Sequence, residues 1–245
     1  MRAILLSPLN VVLFSYMLAL TVVFELLTPV WVSVFLLLGC GHLDDAMRIH
    51  NWAYGGLISR ACWPVYRVTR GGWENVPPKG PLMLVANHRS FADIYVSGLL
   101  PRANVAILVR SWPFRLPYVS WFMRLAGYID IESQPLEQVT DRIKALASRG
   151  VSTLCFPEGH RSGDGRLQRF QSGAFRAAAA NNLPVLPVCV TGTERVSAGL
   201  GVLVKPARVH MEFLPVVRPE QFDPDKRALQ LRRRVEDAMR QYLEK

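Results

Sequence analysis

Asn87-His88-Arg89-Ser90-Phe91-Ala92-Asp93 sets an imidazole and a carboxylate five positions apart, directly after the apolar run Leu82-Met83-Leu84-Val85-Ala86. Such a pair can deprotonate an alcohol. The unperturbed pKa of histidine lies near neutrality, and a carboxylate bonded to one ring nitrogen fixes the tautomer and supports the imidazolium that forms. Positions five apart on one α-helix diverge by about 140°, so His88 must precede the helix and Asp93 must lie within it. Ser90 is then the natural N-cap. Ser90-Phe91-Ala92-Asp93 also fits a capping box in which Asp93 merely completes the helix start. On these residues alone, general base and helix cap both remain open.

A second cluster follows the apolar segment Val151 to Phe156, which reads as a short buried strand running into Pro157-Glu158-Gly159-His160-Arg161-Ser162-Gly163-Asp164-Gly165. In open α/β sheets, ligands collect beyond the carboxyl ends of strands, where a Gly-rich turn lets backbone N–H groups approach an anion. Arg161 adds a forked cation suited to phosphate. The plainer alternative is a polar connecting loop with Gly163-Asp164-Gly165 as an ordinary turn.

Together the two clusters resemble the glycerolipid acyltransferases, most nearly the 1-acylglycerol-3-phosphate O-acyltransferase group. His88 to Asp93 looks like that family's His-x4-Asp block, and Phe156-Pro157-Glu158-Gly159-His160-Arg161-Ser162 looks like its Phe-Pro-Glu-Gly-Thr-Arg-Ser block. Their order, their separation of roughly seventy residues, Phe170 to Phe175 and Leu186-Pro187-Val188 also suit it. The resemblance covers roughly residues 70 to 215. It implies that His88 takes the proton of an acceptor hydroxyl, which attacks the thioester of acyl-CoA or an acyl carrier protein. Asp93 orients the imidazole. Glu158, Gly159 and Arg161 are implied as the acceptor-phosphate site, with Ser162 closing that motif and Arg110, a basic residue after a strand, as a further phosphate contact. Acyl transfer of this kind needs no metal, no cofactor beyond the thioester co-substrate and no covalent acyl-enzyme, only a base, positioning and an anion clamp.

The chain departs from the family pattern at three points. His160 stands where threonine is usual. Gly127-Tyr128-Ile129-Asp130-Ile131-Glu132-Ser133 offers acidic residues where an acceptor-binding arginine is common. Gln171-Ser172-Gly173 lacks the usual lysine before its glycine, with Arg169 nearby as a substitute. Lysophosphatidate is the expected acceptor. Another hydroxylated lipid, or a non-catalytic lipid-binding role for the fold, are the alternatives.

The positioning elements can be read around these motifs. Candidate strands are Leu82 to Ala86, Asn104 to Val109, Val151 to Phe156, Pro184 to Thr191 and Arg208 to Val216. They alternate with helical patterns at Ser90 to Leu100, Leu136 to Arg149 and Ser172 to Asn181. This predicts an α/β fold, a mixed, largely parallel sheet flanked by helices, over residues 46–245. Asp223 to Tyr242 is expected as an amphipathic closing helix presenting Leu229, Val235, Met239 and Tyr242, with Arg232-Arg233-Arg234 on a solvated face.

Residues 1–45 are expected to form an N-terminal membrane helix or helical hairpin. About 22 residues from Ala3 to Phe24 carry no charge, enough to cross a bilayer. Glu25 and Pro29 then interrupt, and Val30 to Cys40 is a shorter apolar run. One spanning helix plus an interfacial piece, or a helical hairpin in one leaflet, both fit. The basic residues Arg48, Arg60, Arg67 and Arg70 favour a cytoplasmic catalytic domain. The net charge of +10 is scattered and accompanies no nucleic-acid motif, so anionic lipid and an acidic carrier account for it better. Trp112 to Tyr118 and Trp121 to Arg124 mix aromatics with arginine, which suits an interfacial element, an acyl-chain groove or core packing. Cys40, Cys62, Cys155 and Cys189 form no C-x-x-C pair and read as packed free thiols, Cys155 as a core residue before a nucleophile. His42, His50 and His210 are expected to be structural or exposed, with no zinc spacing.

Overall fold

The computed structural model describes residues 2–63, 66–162, 166–196 and 205–244. The expected turn at Gly163-Asp164-Gly165 lies outside the described residues.

Two helices, α1 (Arg2–Leu26) and α2 (Thr28–Leu37), open the chain and are followed by α3 (Leu43–Ala61). The helical ladder continues across Leu27, whose N–H donates to Val23 and whose carbonyl accepts from Trp31, so α1 and α2 form one helical arm with Pro29 in the first turn of α2. The chain reverses after Leu37, and α3, not Val30 to Cys40, forms the returning limb. Trp31 reaches the Ala46 carbonyl, Thr28 pairs with His50 at 2.7 Å, and Thr21 pairs with Tyr54 at 2.8 Å. This descending order shows the arm antiparallel to α3. The other side of the arm, including Leu18, Val23, Leu26 and Val30, is exposed. Asn10–Leu37 is long and apolar enough to cross a membrane by length and composition.

The sheet strands are β1 (Tyr66–Gly71), β2 (Met83–Ala86), β3 (Val105–Val109), β4 (Ile129–Asp130), β5 (Ser152–Cys155), β6 (Val185–Thr191) and β7 (Ala207–Phe213). Among the described residues they lie in the order β1-β7-β6-β2-β5-β3-β4, every neighbouring pair parallel except β6 with β7. The mixed, largely parallel sheet predicted from the alternation is therefore present. Strand periodicity sorts the core: Met83, Val85, Val185 and Cys189 face one side, and Leu82, Leu84, Leu186 and Val188 the other. The first side is covered by α6 (Leu136–Ser148), α7 (Gly173–Ala180) and α9 (Arg227–Leu243); the second by α3 and α4 (Asp93–Val96). Two further helices, α5 (Pro117–Leu125) and α8 (Thr193–Val196), complete the described elements of this type.

Several local expectations change. The helix predicted from Ser90 to Leu100 is one α-helical turn, α4, followed by a 3-10 turn over Ser97–Leu99. Pro101 disfavours helical geometry at Leu100, which is extended, and Gly98 presses so closely on Gly55 and Gly56 of α3 that a Cβ would meet the Gly56 nitrogen at 2.2 Å. In α9 the buried stripe is Leu231, Val235 and Met239, while Leu229 is exposed. Arg232 is not solvated like Arg233 and Arg234: it donates to the Phe170 carbonyl at 3.0 Å. Arg48, counted above among the basic flanking residues, is buried against Asp44, Asp45, Asn104 and the Ala126 carbonyl. In α5, Met123 is core, whereas Trp121 and Tyr118, like Trp112 before the helix, face outward.

Candidate active site

Because β2, β5, β3, β4 and β6 run the same way, their carboxyl ends share one edge, and the chemistry-bearing residues emerge there. His88 follows β2 by two positions, Glu158 follows β5 by three, Arg110 directly follows β3, and β4 ends at Asp130. The register aligns Val85 with Cys155 and Val109 with Asp130, so the motifs from distant sequence leave the sheet side by side.

His88 Nδ1 lies 2.8 Å from Asp93 Oδ2. That oxygen also accepts the backbone N–H groups of Arg89 at 2.8 Å and Ser90 at 2.9 Å. The capping reading and the catalytic reading thus converge on one carboxylate: Asp93 reaches back to Ser90 as a box residue does, and holds the imidazole too. Ser90 Oγ accepts from Ala92 N–H rather than from Asp93, so the box is not closed reciprocally. The imidazole packs on Phe156 with ring centroids 4.6 Å apart and keeps 20% of its side chain exposed. With Nδ1 committed to Asp93, Nε2 is the nitrogen left to meet an acceptor hydroxyl.

Glu158 is placed otherwise than expected. It is 1% exposed, and its two oxygens accept the backbone N–H of His88 at 2.7 Å and of Gln168 at 2.9 Å. Burial pushes its carboxyl up, against the opposing pull of those N–H donors and of His88 and Arg89. The side chain joins the two motif loops, with both carboxylate oxygens on backbone N–H groups. Ser162 is also buried and structural, donating its N–H to the His88 carbonyl at 2.9 Å. Gly159 adopts φ +75°, which lets the loop turn sharply after Glu158. His160 and Arg161 are exposed beyond it, and among the described residues Arg161 has no hydrogen bond or ion pair. Arg161 is thus the loop cation free for an anion.

Arg110 comes to the same place: its Nη1 lies 3.4 Å from the Gly159 carbonyl, and its Nε donates to Glu132 Oε1 at 2.7 Å. The sequence reading missed three positioning residues. Asn87 is buried and exchanges both amide bonds with the Val190 backbone, at 2.8 and 2.7 Å, tying β2 to β6 beside His88. Gln168 closes the Glu158 strap, and Arg89 pairs with Glu194 at 3.8 Å. Asn87 and Arg89, the two neighbours of the histidine, carried a signal by position; Gln168 carried none. Cys155 lies in the core, where burial raises its thiol to about 12 and makes it a poor nucleophile. His50 is buried and structural, and His210 joins Thr69 and Glu212 on the outer strands. Among the described residues no three His, Cys, Asp or Glu gather as a metal site.

Comparison with known proteins shows the family and the fold. Residues 67–191 match a family described as Acyltransferase. A chloroplastic 1-acyl-sn-glycerol-3-phosphate acyltransferase of Brassica napus is 34% identical over 153 residues, 61% of this chain and 44% of that protein. A 1-acyl-sn-glycerol-3-phosphate acyltransferase of Chlamydomonas reinhardtii is 33% identical over 173 residues, 69% of this chain and 50% of that one. The chain thus spans about half the length of the curated relatives it matches. The crystal structure of the 1-acyl-sn-glycerophosphate acyltransferase from Thermotoga maritima shares the fold, with TM-score 0.68, 24% identity and coverage of 95% of this chain and 96% of that one. With the family match covering its central half, motif loops included, the chain belongs to the Acyltransferase family.

Proposed function

We propose that the protein is a membrane-bound O-acyltransferase that moves a fatty acyl chain from acyl-CoA or acyl carrier protein to the hydroxyl of a lysophospholipid. The acceptor favoured by the relatives' names is 1-acylglycerol-3-phosphate, giving phosphatidic acid. The observation that carries the reading is the 2.8 Å contact between His88 and Asp93 at the mouth of the sheet edge, with Nε2 left for substrate.

In this mechanism His88 Nε2 takes the acceptor O–H proton as the oxygen attacks the thioester carbonyl. The new C–O bond forms, the C–S bond breaks, and the imidazolium returns its proton to the departing thiolate, releasing thiol and ester. Asp93 keeps the proton of Nδ1 in place and balances the transient imidazolium. Arg161 holds the acceptor phosphate, with Arg110 as the adjacent cation. Gly159 shapes the loop, and Glu158 and Ser162 position it.

The exposed apolar arm supplies attachment to the bilayer. Its antiparallel packing on α3, which carries Asp44, Asp45 and Arg48, favours an arm lying in one leaflet with its free face in lipid, since a full crossing would draw α3 in with it. The catalytic domain then sits on the cytoplasmic face, in keeping with exposed Arg60, Arg67 and Arg70.

The test is thiol release by detergent-solubilised protein from matched acyl-CoA and acyl-carrier-protein donors, with lysophosphatidate, other lysolipids or no acceptor. Release that requires both an acceptor and His88 is the expected result. Release unaffected by His88→Ala, or absent with every acceptor, would overturn the proposal.

A further inference from the structure

One cation of the acceptor edge is already engaged. Glu132 accepts Arg110 Nε at 2.7 Å through Oε1 and the Ser111 N–H at 2.9 Å through Oε2. Its place is fixed by Asp130, whose Oδ1 accepts the Ser111 hydroxyl at 2.7 Å and the N–H groups of Glu132 and Ser133 at 3.0 and 3.1 Å. The Glu132 carboxyl is held below its usual range by the Ser111 N–H and by Arg110, so it is ionised at neutral pH. The far end of the same guanidinium reaches the Gly159 carbonyl, on the loop that carries Arg161. Arg110 therefore contributes almost no net positive charge, and Arg161 is the cation of the two that has no ion pair among the described residues.

We propose that Glu132 is an acceptor-specificity residue that filters lysolipids by head-group charge, disfavouring a phosphate monoester relative to a singly charged phosphodiester. The inference rests on the proposed function, in which the acceptor phosphate meets Arg161 and Arg110. A monoester carries about −1.5 to −2 at neutral pH; a diester carries a single charge. To engage Arg110, either head group must approach Glu132, and the repulsion grows with its charge. Two free arginines would instead favour the monoester. Glu132 so acts through Arg110 and through the field at the site, and need not touch the reacting atoms.

The test compares full-length wild type, Glu132→Gln, Arg110→Gln and the double variant in a neutral detergent. One thioester donor is used, with either 1-acylglycerol-3-phosphate or the corresponding lysophosphatidylglycerol as acceptor. Arg110 and Glu132 are 49% and 40% exposed in their side chains, so the effect is that of a surface pair: Glu132→Gln should lower the monoester KM by about 2- to 5-fold. The diester KM should fall by less, the donor KM should stay constant, and the gain should persist in the Arg110→Gln background, where the Glu132 charge is no longer neutralised. Glu132→Ala, which also removes the charge, should reproduce the shift if Gln disturbs the turn. Equal changes for both acceptors, or a raised KM for both, would overturn the charge filter and make Glu132 a mere prop for Arg110, leaving the proposed function intact. Absence of thiol release by wild type with either acceptor would remove the proposed function and this inference with it.

Discussion

Glu158 accepts the backbone N–H of His88 at 2.7 Å, so the carboxylate of one motif fixes the main chain of the other. With Ser162 N–H on the His88 carbonyl, His88 is held by the second loop through both of its backbone polar groups. The position of the base is therefore a property of two loops at once, one after β2 and one after β5.

Glu158→Gln should lower stability and turnover together. The amide keeps one acceptor oxygen for two buried N–H donors, and a buried donor left unsatisfied costs about 1–3 kcal/mol. A fall in Tm of roughly 2–10 °C is expected for a chain of this size, accompanied by a reduced kcat. Thermal melting and thiol release on the same preparation check it. A variant with wild-type Tm and only a raised acceptor KM would put the carboxylate back in the phosphate site.

His88→Ala should reduce kcat by on the order of 10²- to 10⁴-fold with little change in thioester affinity, as loss of a general base requires. Asp93→Asn should be of similar severity: its amide oxygen can take the place of Oδ2 on the N–H groups of Arg89 and Ser90, but a neutral amide cannot balance the imidazolium that forms. Single-turnover kinetics at saturating donor separate these losses from binding.

Arg161→Gln should act on the acceptor alone. Loss of a charge-assisted bond to phosphate, about 1.5–3 kcal/mol, corresponds to an acceptor KM raised roughly 10- to 100-fold. The donor KM should be unmoved, and initial-rate measurements varying each substrate in turn decide the point. An exposed side chain without a hydrogen bond or ion pair among the described residues predicts an unchanged Tm.

The start of α3 holds two carboxylates whose ionised forms the fold stabilises. Burial opposes ionisation of Asp45, but hydrogen bonds from Asn104, the His42 N–H, Arg149 and Arg48 outweigh it and hold the carboxyl well below its usual range. Asp44 is lowered in the same way by Arg149 and Arg48 against burial. Because the folded values are depressed, their stabilisation is fully present above the ordinary carboxylate range, about pH 4, and is lost as pH falls further through the folded values. Asp45→Asn should therefore be less stable than wild type at pH 7, with the gap in Tm narrowing on acidification. Parallel melting curves at pH 7 and below pH 4 measure it.

Membrane attachment should depend on the free face of the arm. Val23 and Leu26 are 56% and 73% exposed, so Val23→Asp with Leu26→Asp should spare the domain but release the protein from anionic vesicles in a flotation assay. Persistent flotation would shift attachment to another surface.

Much of this organisation was legible because it obeys short periods. The five strands read from apolar runs are present within a few residues of their expected bounds, and both motifs leave the sheet at its carboxyl edge. What escaped depends on partners. β4 is two residues long and contains Asp130, and β1 presents Arg67 and Arg70 on an outer strand, so neither carries a core-strand pattern without the neighbour that pairs with it. In α3, Asp45, Arg48 and His50 are buried although their types suggest surface; their hydrogen bonds come from the arm and from Asn104, far along the chain. The role of Glu158 was hidden for the same reason. A carboxylate beside an arginine suggests a ligand site, and only the fold reveals that its bonds go to the backbone of residues 88 and 168.

The strand order divides the labour of the site in a way that leaves room for change. His88 and Glu158 follow β2 and β5, each flanked by strands on both sides, whereas Glu132 and its arginine stand at the rim, where β4 is held to β3 by the pairs Leu108 with Ile129 and Val109 with Asp130. A rim so lightly stitched can accept insertions or exchanged charges without disturbing the imidazole. Variation among descendants of such a scaffold would then accumulate at the recognition end while the proton-transfer centre stayed constant, and a laboratory search for new lipid acceptors should randomise residues 130–133 before touching either central loop.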